Sequence, residues 1–472
     1  MHRDRLSYFL LRPGLTFVML IILVTILWVA GGASMATVSG QIIVRAASIL
    51  LLITAIVVGP RPAFANDGPV WLVICAAIVV VVIQLVPLPP AWWQALPGRD
   101  FFGEAALASG QPQPWRPLAI VPGRAVNAAA SLIVPLTVLV LVSGLRRDER
   151  AALPGLLMAV TAAALVVGLL QFTGADLTNP FVNAGAGAVD GLFANRNHFA
   201  LFLSIGCVVA PAWAFSERGD TAGTARPHAR WRGPLAFAVI VLSALIILAS
   251  GSRSGVILAV LGIGGGLLLA RHGIARDLRY YPRWVAPVAI ASVVGAVALF
   301  VLVSILAGRA VSIDRLLTLD SGQDLRARNL PIVLTMVRDY FPVGSGYGGF
   351  DPLFRIHEPL SSLLPTYFNH AHNDFVEIVL DGGVAGLLLL TGALAWGIWA
   401  SVEAWQTTPA RSDAEVAIAA RMGSLILLLV LIASLVDYPA RTPIIMAVTV
   451  IASTCLCSRP KRTGLRASDQ RL

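Results

Sequence analysis

Two histidines and two carboxylates occur together in one short segment, Asn369-His370-Ala371-His372-Asn373-Asp374-Phe375-Val376-Glu377. A long apolar run follows directly, and ionisable groups are costly at membrane depth, so a cluster in this position indicates a functional site. Imidazole titrates near neutral pH, which suits His372 as an acid/base group or as a group that positions a substrate hydroxyl. Asp374 and Glu377 would orient that ring or cap the helix that begins here. A pair of ordinary loop histidines at a water interface is the alternative interpretation.

The spacing of the histidines bears on whether the cluster binds a metal. A two-histidine zinc site on a helix needs i, i+4 spacing, whereas a single residue separates His370 from His372. No H-E-x-x-H pattern occurs, and the first predicted outer loop, GGASMATVSGQ, contains no acidic residue. We therefore predict chemistry that needs neither a metal nor another cofactor.

The composition predicts an all-α, polytopic integral membrane protein. The chain has 472 residues, of which 57% are hydrophobic and only 13% charged, and its mean hydropathy is +0.79. A soluble domain carries about 25% charged residues, and barrel strands would show short alternating segments instead of long apolar runs. The runs predict about twelve transmembrane helices in a single membrane domain over 1–472, near residues 13–31, 42–58, 70–86, 125–143, 152–172, 198–215, 234–249, 255–270, 284–306, 384–402, 421–436 and 443–457.

The basic residues predict the orientation of these helices. With the N-terminus in the cytoplasm, most arginines fall in cytoplasmic loops and in the basic tail 458–472, and the short outer loops hold few, as the positive-inside rule requires. Both termini are then cytoplasmic, and the net charge of +10 reflects topology, not binding to nucleic acid. Two long outer segments remain: an irregular one at 87–124, and one at 307–383, between the ninth and tenth spans, with a surface-lying helix over Leu325–Tyr340.

The short outer loops hold three arginines, Arg196, Arg253 and Arg441, and the first two lie in polar, glycine-bearing turns. Arg196 lies in the outer turn GLFANRNH, and Arg253 lies in the hairpin SGSRSG between the seventh and eighth spans. A guanidinium presents a planar fork of donors that matches phosphate oxygens, and backbone N–H groups at a helix N-terminus add further donors. Both residues are therefore candidates for binding a phosphate. Alternatively, each snorkels to lipid headgroups or pairs with a carboxylate.

In this order along the chain, four features resemble the O-antigen ligase / O-antigen polymerase family of bacterial envelope proteins. They are Asn195-Arg196-Asn197, Ser252-Arg253-Ser254-Gly255, Phe341-Pro342-Val343-Gly344-Ser345-Gly346, and His372-Asn373 followed by Gly383. The resemblance spans residues ~190–400, and the long outer segment directly before His372 belongs to it.

The resemblance implies a membrane glycosyltransferase of the bacterial inner membrane with a periplasmic active site. It would move a glycan from undecaprenyl diphosphate to an acceptor hydroxyl, with inversion. Arg253 and Arg196 would then bind the diphosphate as it leaves, and His372 would activate or position the acceptor hydroxyl. The partners implied are this lipid-linked donor, a glycan or lipid A-core acceptor, and membrane lipids. Supporting roles would fall to Asn373, Asp374, Glu377, His370, Arg309, Arg315 and Arg338.

Three alternatives remain open at this point. Ligases that use lipid A-core tend to carry a threonine-glycine pair shortly after the glycine matched by Gly383, and this chain has Gly383-Val384-Ala385-Gly386. An O-antigen or exopolysaccharide polymerase of the same family is therefore the second reading. A transporter or flippase of a lipid-linked sugar is another, although such proteins bind near the midplane, and the predicted spans hold almost no charge there apart from Arg45. A non-catalytic scaffold would leave the histidine cluster unexplained.

Overall fold

The computed structural model describes residues 13–182, 188–215, 231–279, 281–284, 321–360, 363, 368–409 and 413–458, with scattered positions between 287 and 302. Most of the described chain is helical. The longer helices are α1 Leu15–Ala30, α2 Ser39–Val58, α3 Gly68–Ile83, α6 Pro122–Ser131, α7 Ile133–Ser143, α9 Leu153–Thr173, α10 Arg196–Phe215, α11 Arg232–Ala249, α12 Arg253–Leu278, α13 Ser321–Tyr340, α15 Asp374–Gln406, α16 Ala414–Ser434 and α17 Pro443–Cys457. The short elements are β1 Pro87–Leu88, α4 Pro90–Gln94, α5 Asp100–Ala108, β2 Arg116–Pro117, α8 Arg147–Arg150, α14 Phe350–His357 and the 3₁₀ turn Pro439–Arg441.

The architecture confirms a helical, multi-pass membrane protein. Within the described ranges, eight helical segments are long and apolar enough to cross a membrane, and three further apolar helices are shorter. The predicted ninth span, 284–306, falls largely outside the described residues, so the total of twelve stays a prediction. The stretch expected to form a surface-lying helix belongs to α13, which begins four residues earlier than expected at Ser321.

Helix α10 lies at the centre of the bundle and packs against α9, α11, α12 and α16. Its closest neighbour is α12, which presents a row of small residues to it. A Cβ on Gly262 or Gly266 would come within 2.5 Å of a backbone carbonyl oxygen of α10, at Ser204 and Cys207 respectively. Small residues let helix backbones approach closely in membranes. This seam therefore sets the position of Arg253, the first residue of α12, relative to Arg196, the first residue of α10.

The tenth predicted span is too short at both ends. The prediction began at residue 384, whereas α15 begins at Asp374 and turns at Gly383, where φ is +56° and ψ is −138°. The acidic residues in its first turns made this stretch look unlike a membrane helix. Their charge is compensated by an arginine from another segment, as described below, and this pairing allows them to be buried.

The segment 87–124, predicted to be irregular, contains ordered structure. The two-residue strands β1 and β2 pair antiparallel, and Trp93 is buried with its indole nitrogen donating to the carbonyl of Pro117 at 2.8 Å. Arg99 is also buried and donates to the carbonyls of Leu118 and Gly344 at 2.9 and 3.2 Å. These bonds attach the segment to the glycine-rich turn after α13.

Several connecting loops meet at one end of the bundle. The N–H of Ala194 donates to Gly32 at 3.0 Å, and the N–H of Ile444 donates to Gly31 at 3.3 Å. At the other end, Arg150 pairs with Asp67 at 2.7 Å. The loops that meet at the first end carry the residues that the sequence singled out.

Candidate functional site

The histidine segment ends in a tight turn at the start of α15. His372 has a φ of +50°, a left-handed conformation that residues other than glycine adopt infrequently. Asn373 caps the helix, since its side-chain oxygen accepts a hydrogen bond from the N–H of Val376 at 3.1 Å. Its amide donates to the carbonyl of Leu435 at 3.1 Å. The turn is thus held on both sides, and it places the His372 ring beside the loop that joins α16 to α17.

Asp437, in that loop, organises the site. Its Oδ1 lies 3.2 Å from Nδ1 of His372 and accepts a hydrogen bond from the N–H of Tyr438 at 3.0 Å. Its Oδ2 accepts from the side-chain amides of Asn195 and Asn197 at 3.0 and 2.8 Å. The carboxyl group is almost completely buried, with 2% of the residue exposed. Both oxygens of Asp437 therefore have partners, and one of these partners, His372, is a histidine with access to solvent.

The charge of Asp437 fixes the orientation of the His372 ring. Burial by itself raises the pKa of Asp437, but the neighbouring rings of His198 and His372 outweigh burial and hold that pKa well below its usual value. An ionised carboxylate only accepts hydrogen bonds. Nδ1 of His372 therefore carries the hydrogen that faces Asp437, and Nε2 of the neutral ring is left with a lone pair.

A short chain of hydrogen bonds connects this histidine to the two arginine-bearing turns. Ser252, the N-cap of α12, donates to Oδ1 of Asn197 at 2.7 Å, and Asn197 donates to Asp437 at 2.8 Å. Arg196 directly precedes Asn197, and Arg253 directly follows Ser252. Both arginines are half-buried. Three segments that are distant in the sequence are thus adjacent in the fold, and helices α10 and α12 both begin at this point.

A second network surrounds Arg441, in the 3₁₀ turn before α17. Its guanidinium lies 3.3 Å from Asp374, 3.1 Å from Glu377 and 3.8 Å from Asp381. These carboxylates occupy one face of the first two turns of α15 because their spacing of three and then four residues matches the helical period. Burial lowers the pKa of Arg441, but the three carboxylates outweigh it and raise that pKa above its usual value, so this arginine stays charged. The network binds the start of α15 to the loop that carries Asp437.

His370 belongs to this second network. Its Nδ1 lies 2.9 Å from Oε1 of Glu377, whose other oxygen accepts a hydrogen bond from the N–H of Ala371 at 2.8 Å. The ring of Tyr438 separates the two histidines, with centroid distances of 4.2 Å to His370 and 5.0 Å to His372. Burial, the largest effect, raises the pKa of the Tyr438 phenol to about 12, so it stays protonated. Each histidine is thus held by its own buried carboxylate.

One expectation about the supporting residues needs correction, and the structure locates another of them. Asp374 and Glu377 do not orient His372, because Arg441 and His370 occupy them and Asp437 holds His372. Arg338 is exposed in the last turn of α13, roughly 18 Å along the helix axis from the arginine of α13 that does reach the site. Arg309 and Arg315 lie outside the described residues.

The arginine of α13 that reaches the site is Arg326. Its Nη1 donates to the carbonyl of Val436 at 2.9 Å, and its Nη2 lies 3.8 Å from Oδ2 of Asp437. Sequence reasoning missed Arg326 and Asp437, and it noted Arg441 as an outer-loop arginine without giving it a role. Asp437 and Arg441 both lie in V-D-Y-P-A-R, a short outer loop between apolar runs, where an ionisable residue can be noticed from the sequence.

The helices and this site define a multi-pass membrane protein with a polar centre at one end of the bundle. The family model described as O-antigen ligase matches residues 238–391 of the 472. This match confirms, over that part of the chain, the resemblance seen in the sequence. The match supports an O-antigen ligase- or polymerase-like membrane enzyme of polysaccharide biosynthesis. No curated protein matches the chain.

The matched range covers only part of the site. It includes Arg253, His372 and the acidic face of α15, but it ends before Asp437 and begins after Arg196. The hydrogen bonds that Asp437 accepts from Asn197 and His372 therefore join residues outside the matched range to the histidine inside it.

Proposed function

We propose that the chain transfers a glycan from undecaprenyl diphosphate to an acceptor hydroxyl at the periplasmic face of the bacterial inner membrane, with inversion at the anomeric carbon. The observation that carries the proposal is the continuous link from Ser252 through Asn197 and Asp437 to His372. It brings a candidate base and two candidate phosphate-binding arginines to one end of the bundle. In the short loops that meet at the opposite end, arginines are more frequent, which favours a cytoplasmic location for that end.

In this mechanism, His372 acts as the base. Asp437 accepts the hydrogen on Nδ1, so Nε2 takes the proton from the acceptor hydroxyl as the hydroxyl oxygen attacks the anomeric carbon. The new glycosidic bond forms while the bond from the anomeric carbon to the diphosphate oxygen breaks. Asp437 stabilises the imidazolium that results, in the way that a buried aspartate does in a catalytic triad.

Arg253 and Arg196 would act on the leaving group. Negative charge accumulates on the diphosphate as the bond breaks, and donors already positioned for that charge stabilise the transition state more than the ground state. Both arginines begin helices, so the N–H groups of the first turns of α10 and α12 add to the positive potential. This arrangement would neutralise the leaving diphosphate without a metal. Metal independence is part of the proposal.

Complementation of a strain that lacks its surface polysaccharide ligase or polymerase tests the assignment. We expect His372→Ala and Arg253→Gln to abolish polymer on a gel. His272→Ala and Arg271→Gln serve as matched controls, since both residues are exposed at the opposite end of α12, and they should restore it. If the first pair restores polymer at normal expression, the assigned roles are wrong.

The same gel separates the two candidate activities of the family. A ligase caps lipid A-core with glycan that is already polymerised, whereas a polymerase produces a ladder of increasing repeat number. The sequence Gly383-Val384-Ala385-Gly386, which departs from the threonine-glycine pair that family ligases tend to carry shortly after this glycine, keeps polymerase as the second candidate. Consumption of the lipid-linked donor in the presence of EDTA would support metal independence, and strict dependence on a divalent ion would contradict it.

A further inference from the structure

One cation lies inside a helix that is apolar enough to cross the membrane, away from the site described above. Arg45 belongs to α2, and the helical rise places it roughly 9 Å along the axis from the first residue of that helix. A charged side chain at membrane depth is strongly disfavoured unless it has a partner or reaches water. The surroundings of Arg45 therefore indicate which partner it has.

The structure gives Arg45 one partner. Gln41, one turn earlier, is buried, and its amide donates to the carbonyl of Ala33 at 2.6 Å. That bond fixes the amide so that its oxygen lies 3.4 Å from Nη2 of Arg45. Within the described part of the chain, no carboxylate forms an ion pair with Arg45, and its buried Nε has no hydrogen-bond partner. The guanidinium is therefore positioned but not neutralised by these residues.

The position of Arg45 on α2 limits what can reach it. Gln41, Val44 and Ser48 form the buried face of the helix, whereas Ile42 and Ile49 are exposed. Arg45 lies between the two faces and is half-buried. An anion can approach it from the exposed side of the helix, which in a membrane span faces lipid. Such an anion must carry an apolar chain, because a free ion would enter hydrocarbon only at a high cost.

We propose that Arg45, positioned by Gln41, binds the phosphate group of a membrane lipid at a site separate from the centre around His372. A phosphate accepts hydrogen bonds from the guanidinium fork in a bidentate manner, and the exposed isoleucines offer an apolar surface to the lipid chain. The N-terminal end of α2 belongs to the same end of the bundle as the functional site, since the N–H of Gly40 donates to Phe181 at 3.1 Å in the loop that leads to α10. Two lipid classes carry this chemistry, phospholipids and polyprenyl phosphates.

Native mass spectrometry of the purified protein in detergent tests the site. The probes are dioleoyl-phosphatidylglycerol and undecaprenyl phosphate, added separately. We expect the wild type to retain at least one of them and Arg45→Gln to retain it about tenfold less, which is the effect of losing a charged hydrogen-bond donor. Arg61→Gln is the control, because Arg61 is exposed just beyond the other end of α2 and its replacement should change nothing.

Each outcome decides the matter. Retention of phosphatidylglycerol alone assigns the site to a phospholipid, and preference for undecaprenyl phosphate assigns it to the polyprenyl carrier. Equal lipid retention by the wild type and Arg45→Gln overturns the proposal. The proposal is also overturned if Arg253→Gln, and not Arg45→Gln, lowers lipid retention. If Arg45→Gln does not yield folded protein, Gln41→Leu frees the guanidinium while leaving its charge. Weaker retention by Gln41→Leu supports the proposal, and unchanged retention contradicts it.

Discussion

Replacing Asp437 by asparagine changes the charge of the site while keeping its shape. Tyr438 and His372 contact Oδ1, and Asn195 and Asn197 donate to Oδ2. Whichever oxygen the new amide nitrogen replaces, it meets groups that are themselves donors. The arrangement that avoids this conflict beside His372 requires the histidine to accept at Nδ1 and to carry its hydrogen on Nε2. In that tautomer, Nε2 no longer accepts a proton from the acceptor hydroxyl.

The expected loss of rate follows from the role of the base. A positioned general base contributes about 10²–10⁴-fold, and an aspartate-to-asparagine change in a catalytic triad lowers kcat by about 10⁴ through the wrong tautomer. We therefore expect Asp437→Asn to lower the rate of glycan transfer at neutral pH by about 10²–10⁴. The assay is release of undecaprenyl diphosphate by purified protein with a lipid-linked donor and an acceptor.

Loss of structure must be separated from loss of the base. Exchanging one buried acceptor for a donor costs about 1–3 kcal/mol of stability, which leaves most membrane proteins folded at 25 °C, and the melting temperature in detergent checks this. A folded Asp437→Asn protein that keeps a third or more of the wild-type rate, with an unchanged pH profile, would refute the orientation argument.

Further predictions concern stability. Gly383→Ala should prevent folding, because the new Cβ would lie 2.6 Å from the carbonyl carbon of Val343. Gly392→Ala on the same helix should be neutral, because its Cβ would have no atom within 4 Å. The yield of folded protein is the measurement that compares the two variants. Burial raises the pKa of Asp190 from 3.8 to about 6. The unfolded chain releases this proton at lower pH, so the native state loses stability as pH rises from about 4 to 6. Asp190→Asn should therefore raise the free energy of unfolding at pH 7.5 by up to about 3 kcal/mol, at ~1.36 kcal/mol per pKa unit, and so raise the melting temperature. At pH 4 the melting temperature should be nearly unchanged. An equal rise at both pH values would contradict this prediction. Arg99→Met leaves two backbone carbonyls without their donor, which should lower stability by about 2–4 kcal/mol. The 87–124 segment should then become sensitive to limited proteolysis. An unchanged digestion pattern would contradict the role of Arg99 in holding this segment.

The sequence was sufficient to predict the class of fold and part of the site. Long apolar runs determine a helical membrane protein because backbone polar groups must be satisfied within each crossing segment. The motifs around Arg196, Arg253 and His372 could be recognised locally. The structure brings all three together through Ser252 and Asn197.

The partners of these residues could not be predicted in the same way. The pairing of Asp437 with His372 spans 65 positions of sequence, and nothing local to either residue specifies it. Asp374 and Glu377 were the nearest carboxylates in sequence, but helical geometry directs both to Arg441, and Glu377 also to His370. The same arginine explains why α15 begins ten residues before the apolar run that was predicted as the span, because paired carboxylates can be buried where isolated ones cannot.

The central claim is that His372 and Arg253 act together on a lipid-diphosphate donor. The most direct measurement is the rate of undecaprenyl diphosphate release by purified, reconstituted protein supplied with lipid-linked glycan and acceptor. The mechanism predicts release by the wild type and by the controls His272→Ala and Arg271→Gln, and a loss of at least 10²-fold in both His372→Ala and Arg253→Gln. Release at the wild-type rate by either of the last two variants would contradict it.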